Sequence, residues 1–179
     1  MLLYYTDFIP KPGEKDSGTQ APVLRNRLLG ILHGFMKLNP EKIAISIEKE
    51  HFQIRCFAQT SEDLMLLVES TKGHFVVRDY FVVTFPSVVN TEQHRGRWFQ
   101  YIRHRIPSKV YEGEGPNWKQ IALDKAKDAG WPFVNLDSKS NGHRYRFSVK
   151  KLEGQGFAGF APNKFGLSTF GEPFFLPEI

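Results

Sequence analysis

Between Pro22 and Leu38 the apolar residues Leu24, Leu28, Ile31, Leu32 and Phe35 recur at spacings of three and four. Pro22 suits a helix start and Asn39-Pro40 its stop, so the pattern predicts an amphipathic helix. Such a helix needs a sheet or another helix against its apolar stripe. The flanking sequence offers strands. Leu2 to Phe8 is rich in Leu, Tyr and Thr and ends at Pro10, Pro12 and Gly13. Lys42 to Ile47 and Phe52 to Ala58 read as two more strands, joined through Glu48-Lys49-Glu50-His51. Thr60-Ser61-Glu62-Asp63 has the form of a capping box and opens a second helix through Leu64, Leu67 and Val68. Tyr80 to Val89, β-branched and aromatic, reads as a fourth strand.

The predicted order is strand, helix, strand, strand, helix, strand, a ferredoxin-like (βαββαβ) arrangement. The expectation is therefore an α+β protein, with a ferredoxin-like domain at residues 1–90 and a smaller, loop-rich α+β domain at residues 91–179. Charge changes at the same boundary. Residues 1–94 hold 10 Lys/Arg against 11 Asp/Glu, whereas residues 95–151 hold 13 against 5. A regional excess of that size is the footprint of a nucleic-acid surface, or of a solvated basic face.

Within the basic half, Arg95, Arg97, Phe99, Tyr101, Arg103 and Arg105 share one parity. If the stretch is extended, they form a single face of four guanidiniums around two aromatics. Guanidiniums can fork to phosphate oxygens or a guanine edge, and aromatics can stack on unpaired bases. The same pattern also fits an edge strand kept soluble by charge. A short helix is expected from Asn117 to Ala129, stopped by Gly130, with Lys119, Lys125 and Lys127 on its surface. Pro132 to Val149 reads as two strands joined by a polar loop, Ser138-Lys139-Ser140-Asn141-Gly142. In its second strand His143, Tyr145, Phe147 and Val149 alternate with Arg144, Arg146, Ser148 and Lys150.

Several chemistries are excluded. Cys56 is the one cysteine, so one chain can build neither a disulfide framework nor a cysteine zinc site. The carboxylates are scattered, and neither a Walker loop nor a His-Glu-x-x-His pattern occurs. No metal or cofactor is expected. No apolar run approaches a membrane span and the N-terminus lacks a signal-peptide pattern, so no membrane association and a cytoplasmic location are expected.

Among six histidines, His33 lies inside the first predicted helix, in Gly30-Ile31-Leu32-His33-Gly34. Two glycines there cost about 1 kcal/mol each relative to Ala, and they strip the helix surface beside the imidazole. The space suits a backbone or a ligand, and His33 itself fits either a structural or a catalytic role. If RNA lies there, a neutral imidazole can take a proton from a ribose 2′-hydroxyl, and the alkoxide can attack the adjacent phosphate. Ser138 or Ser140 could position that sugar, since a hydroxyl both donates and accepts.

Four runs together resemble the repeat-processing endoribonuclease family of type I-F CRISPR systems. They are Leu28-Leu29-Gly30-Ile31-Leu32-His33, Val77-Arg78-Asp79-Tyr80 through Pro86-Ser87-Val88-Val89, Pro132-Phe133-Val134 through Tyr145, and Phe165-Gly166-Leu167-Ser168. The resemblance implies metal-free cleavage of a CRISPR repeat RNA hairpin at the foot of its stem, leaving a 2′,3′-cyclic phosphate. It also implies that the protein stays on the hairpin with other subunits of an effector complex. Carried over by position, His33 is the general base and Ser138 holds the reacting ribose. Ser140 and Asn141 contact RNA near the cut, Tyr145 stacks under the last base pair, and Arg103 and Arg105 fall where the family reads bases. Phe165 stands where the family can carry a tyrosine, so stacking is kept and a hydroxyl is lost. The family's arginine-rich helix is reduced here to a segment with three lysines, and Arg105 replaces a glutamine-like position. A noncatalytic hairpin-binding subunit and a ferredoxin-like protein with no RNA role remain the rival readings.

Overall fold

The computed structural model describes residues 1–12, 20–48, 52–107, 117–137 and 144–179, with the backbone alone at 20, 137, 144 and 145. It is a mixed α+β protein built on two antiparallel sheets. The first comprises β1 (Leu2–Pro10), β2 (Ala44–Ile47), β3 (Ile54–Ala58), β4 (Phe81–Val83) and β5 (Ser87–Asn90). Its order is β2-β3-β1-β4, with β5 also paired to β1. Helix α1 (Gln20–Leu38) links β1 to β2, while α2 (Ser61–Thr71) and α3 (Phe75–Tyr80) link β3 to β4.

The predicted helix over 22–38 is α1, and Leu24, Leu28, Leu32 and Met36 bury its apolar stripe. Thr60 caps α2 as the capping-box pattern requires, accepting from the Asp63 amide at 3.2 Å. The expected fourth strand over Tyr80–Val89 needs correction. Tyr80 ends α3, and the rest splits into β4, opposite Phe8–Pro10, and β5, opposite Leu2–Tyr5. Pro86 has no N–H for the ladder and falls in the break. Thr84 spans the gap instead. Its amide donates to the Asp7 carbonyl at 3.0 Å, its hydroxyl accepts from the Asp7 amide at 2.9 Å, and its carbonyl accepts from the Thr6 hydroxyl at 2.6 Å.

The second sheet comprises β6 (Trp98–Arg105), β7 (Phe133–Asp137), β8 (Arg144–Gly154) and β9 (Leu176–Pro177), in the order β7-β8-β6-β9. Arg95 and Arg97 precede β6, and β8 runs five residues past the strand end expected at Val149. One face of this sheet shares a core with the first: Phe99, Tyr101, Val134, Phe147 and Val149 join Leu3, Leu29 and Ile45 in one apolar cluster. On the other face lies α4 (Trp118–Asp128), capped by Asn117, whose Ala122 carbonyl accepts from His104 Nε2 at 3.2 Å. Ser148, which alternates with Phe147 and Val149 along β8, is fully buried. Among the described residues no helix is long and apolar enough to cross a membrane.

This packing corrects the reading of the basic stripe. Phe99 and Tyr101 do share a face with Arg103, but that face is turned toward the first sheet and both aromatics are buried. They are core residues, not platforms for bases. Arg97 is taken up by Glu178, its Nε donating at 2.8 Å.

Candidate active site

His33 sits two-thirds of the way along α1, where the helix passes the segment between β8 and β9. That segment is fixed by Gly166. Its φ of +70° lies in the left-handed region, and a Cβ there would stand 2.7 Å from Met36 Sδ and 3.1 Å from the Ile43 carbonyl. Only glycine lets the chain approach β2 this closely, so that the Ile45 amide donates to the Gly166 carbonyl at 2.8 Å. Asn163 braces the same turn, its side-chain oxygen accepting from the Phe165 amide at 2.8 Å.

The turn delivers two groups to His33. The Lys164 carbonyl lies 2.8 Å from Nδ1, and the Phe165 ring stacks on the imidazole with centroids 4.3 Å apart and planes 6° from parallel. A carbonyl only accepts, so Nδ1 carries the proton and donates. In the neutral ring Nε2 then holds the lone pair, and it has no hydrogen-bond partner among the described residues. This is a held, oriented imidazole. Around it, Gly30 and Gly34 are exposed, and a Cβ on either would meet nothing within 4 Å. Among the described residues, therefore, no backbone approaches either glycine.

Phe147 of β8 meets Phe165 edge-on at 5.8 Å, and the Arg103 guanidinium lies 4.9 Å from the Phe147 centroid and 5.0 Å from that of Phe165. His33, Phe165, Phe147 and Arg103 thus form one constellation drawn from α1, the Gly166 turn, β8 and β6. Behind it lies an apolar cavity of about 10 Å³, room for about one water, walled by Leu29, His33, Val134, Leu136, Phe147 and Phe165 among others.

Of the expected site residues, the structure brings His33, Phe165 and Arg103 together. Arg105 is exposed at the end of β6, opposite Phe147 in register. Ser138, Ser140 and Asn141 lie outside the described residues. Tyr145 pairs with Leu136 through its backbone, and its side chain is likewise outside them. Sequence reasoning missed Phe147 and the Lys164 carbonyl. Phe147 had a signal, its parity with Val149, but that signal reads equally as core; a backbone carbonyl has none. Cys56 is fully buried, and burial, with Asp7 nearby, pushes its thiol up, so it is no nucleophile. Among the described residues no group of three or more His, Cys, Asp or Glu is arranged to hold a metal ion.

A second cleft, of about 490 Å³, opens elsewhere between the sheets and is lined by Glu48, Arg55, Arg97, Tyr101, Lys151 and Glu178 among others. The Tyr101 hydroxyl donates to Glu48 at 2.6 Å, and Lys151 donates to both Glu48 oxygens at 3.2 and 3.1 Å. Arg55 grips Asp7 through Nε at 2.6 Å and Nη2 at 2.9 Å, and also donates to the Ile179 carbonyl. Burial, reinforced by Glu48, pushes the Tyr101 hydroxyl far above its ordinary range.

No protein-family model and no curated protein matches the chain. Among solved structures, a chlorite dismutase-like protein is similar over 85% of this chain and 80% of its own, at 15% identity and a TM-score of 0.33.

Proposed function

We propose that this protein is a metal-independent endoribonuclease that cuts a CRISPR repeat RNA at the base of its stem-loop. In this reading it then stays on the hairpin with other subunits of a type I-F effector complex. Residues 1–90 are its ferredoxin-like domain and carry the base; residues 91–179 grip the RNA. The observation that carries the proposal is His33, whose Nδ1 is tied to the Lys164 carbonyl while Nε2 is left with a lone pair beside two bare glycines. Nε2 takes the 2′-hydroxyl proton, the 2′-oxygen attacks phosphorus, and the bond to the 5′-oxygen breaks as that oxygen takes a proton from water. The products are a 2′,3′-cyclic phosphate and a free 5′-hydroxyl. Arg103, whose guanidinium lies 5.0 Å from the Phe165 ring centroid, would meet phosphate or base beside the stack, and Arg105 extends the cationic edge. Ser138 would hold the reacting ribose, Ser140, Asn141 and Tyr145 would contact RNA near the cut, and Phe165 keeps the imidazole plane.

One observation favours a noncatalytic hairpin-binding subunit: the ring stacked on His33 is Phe165, which offers no hydroxyl. Cleavage of the repeat RNA in excess EDTA by wild type and His33→Ala separates the two, with binding followed on RNA whose reacting ribose is 2′-deoxy. The expected result is equal binding and a loss of about 10²–10⁴-fold in cutting by the variant. Binding without cleavage by wild type establishes the subunit instead, and absence of binding removes RNA altogether.

A further inference from the structure

Arg25 lies two helical turns before His33, and positions 25, 29 and 33 share one face of α1. It is only 5% exposed, and burial lowers its pKa to about 10. No carboxylate pairs with it among the described residues. Nη2 donates to the Phe133 carbonyl at 3.0 Å, the guanidinium carbon stands 5.4 Å from the Phe52 centroid, and Nε has no hydrogen-bond partner. A cation buried this way costs stability that an apolar side chain of similar length would not. Its presence points to a gain other than stability.

The one hydrogen bond it makes to a described residue joins α1 to the second sheet. Phe133 opens β7, an edge strand of the second sheet whose far end leads directly into Ser138. Helix and strand run side by side, since Leu29 and His33 wall the same cavity as Val134 and Leu136. Apolar contacts of that kind resist separation but not sliding. A directional bond to one carbonyl fixes which residue of β7 stands beside which turn of α1. The distance from Arg25 to His33 is about 12 Å along the helix. From Phe133 to Asp137 it is about 13 Å along the strand. A shift at the Arg25 end therefore reappears at the His33 end.

We propose that Arg25 is a positioning residue: its bond to Phe133 sets the register of the base-bearing helix against β7, whose Val134 pairs with Phe147 of the His33 constellation. It acts on the chemical step, not on RNA affinity. The inference rests on the endoribonuclease reading above. Wild type, Arg25→Met and Arg25→Lys are compared in thermal unfolding, in binding of 2′-deoxy repeat RNA, and in single-turnover cleavage in EDTA. The Met variant is expected to melt at or above the wild-type temperature and to bind equally, yet to cut on the order of 10–10²-fold more slowly. The Lys variant, which keeps a donor, recovers part of the rate. An unchanged rate with Met overturns the inference alone. A slower rate matched by a lower melting temperature makes Arg25 merely structural and overturns it too. Wild type that binds and never cuts removes both readings.

Discussion

The two sheets meet along two seams of opposite character. At one, Phe165 stacks on His33 and Phe147 meets Phe165 edge-on, and the imidazole keeps a lone pair that nothing in the described protein uses. At the other, Glu48, Tyr101, Lys151, Arg97 and Glu178 bond to one another across a wider cleft. Satisfied polar networks hold a structure together, whereas an oriented polar atom without a partner is capacity held for something else. The contrast makes the ionic seam a fastener and the aromatic seam the place to look for chemistry, although the ionic seam has the larger cleft.

The sharpest way to break that division is Gly166→Ala. A left-handed backbone costs a side chain about 1–2 kcal/mol. Overpacking against Met36 and the Ile43 carbonyl adds roughly 1–3 kcal/mol. A loss on the order of 2–5 kcal/mol in chemical denaturation is expected, and because Phe165 and Lys164 both hang from this turn, cleavage falls in the protein that remains folded. A variant that unfolds more easily but cuts at the wild-type rate would show that the turn does not position His33.

Tyr101→Phe tests the other seam. It removes one hydrogen bond to a carboxylate, typically about 1.5–3 kcal/mol, while Lys151 still holds Glu48. Stability is expected to drop by that order with the single-turnover rate unchanged. A fall in rate without a fall in stability would move chemistry into the ionic seam and reverse the comparison.

How far the chain announces these seams depends on the kind of signal. Helix α1 and the α2 cap are readable because spacing and capping residues are local. Tyr80–Val89 is misread because apolar, β-branched composition cannot distinguish one strand from a short helix followed by two strands around Pro86. Parity correctly groups Phe99, Tyr101 and Arg103 on one face but cannot say which way the face points; the packing of a second sheet decides that. His33 stands out through its glycines, whereas Lys164 acts through a carbonyl that every residue possesses. In sequence the buried cation Arg25 looks like any surface arginine on a helix; its burial and its long-range bond to Phe133 separate it from one.

The smallest predicted effect has a favourable sign and bears most directly on the open side of the aromatic seam. Gly30 lies mid-helix, and a methyl group added to it would meet no described residue within 4 Å, so Gly30→Ala strains none of them. Replacing glycine by alanine in a helix interior is worth about 0.5–1 kcal/mol, and a rise of that order in unfolding free energy is expected. Were the space beside His33 simply solvent, the variant would be a more stable protein of equal activity. With the hairpin lying against the bare helix, the added methyl stands in the path of the RNA instead. The expectation is then a more stable protein that binds the repeat less tightly. Gain of stability together with unaltered affinity would place the RNA elsewhere and leave the two glycines without a ligand to explain them.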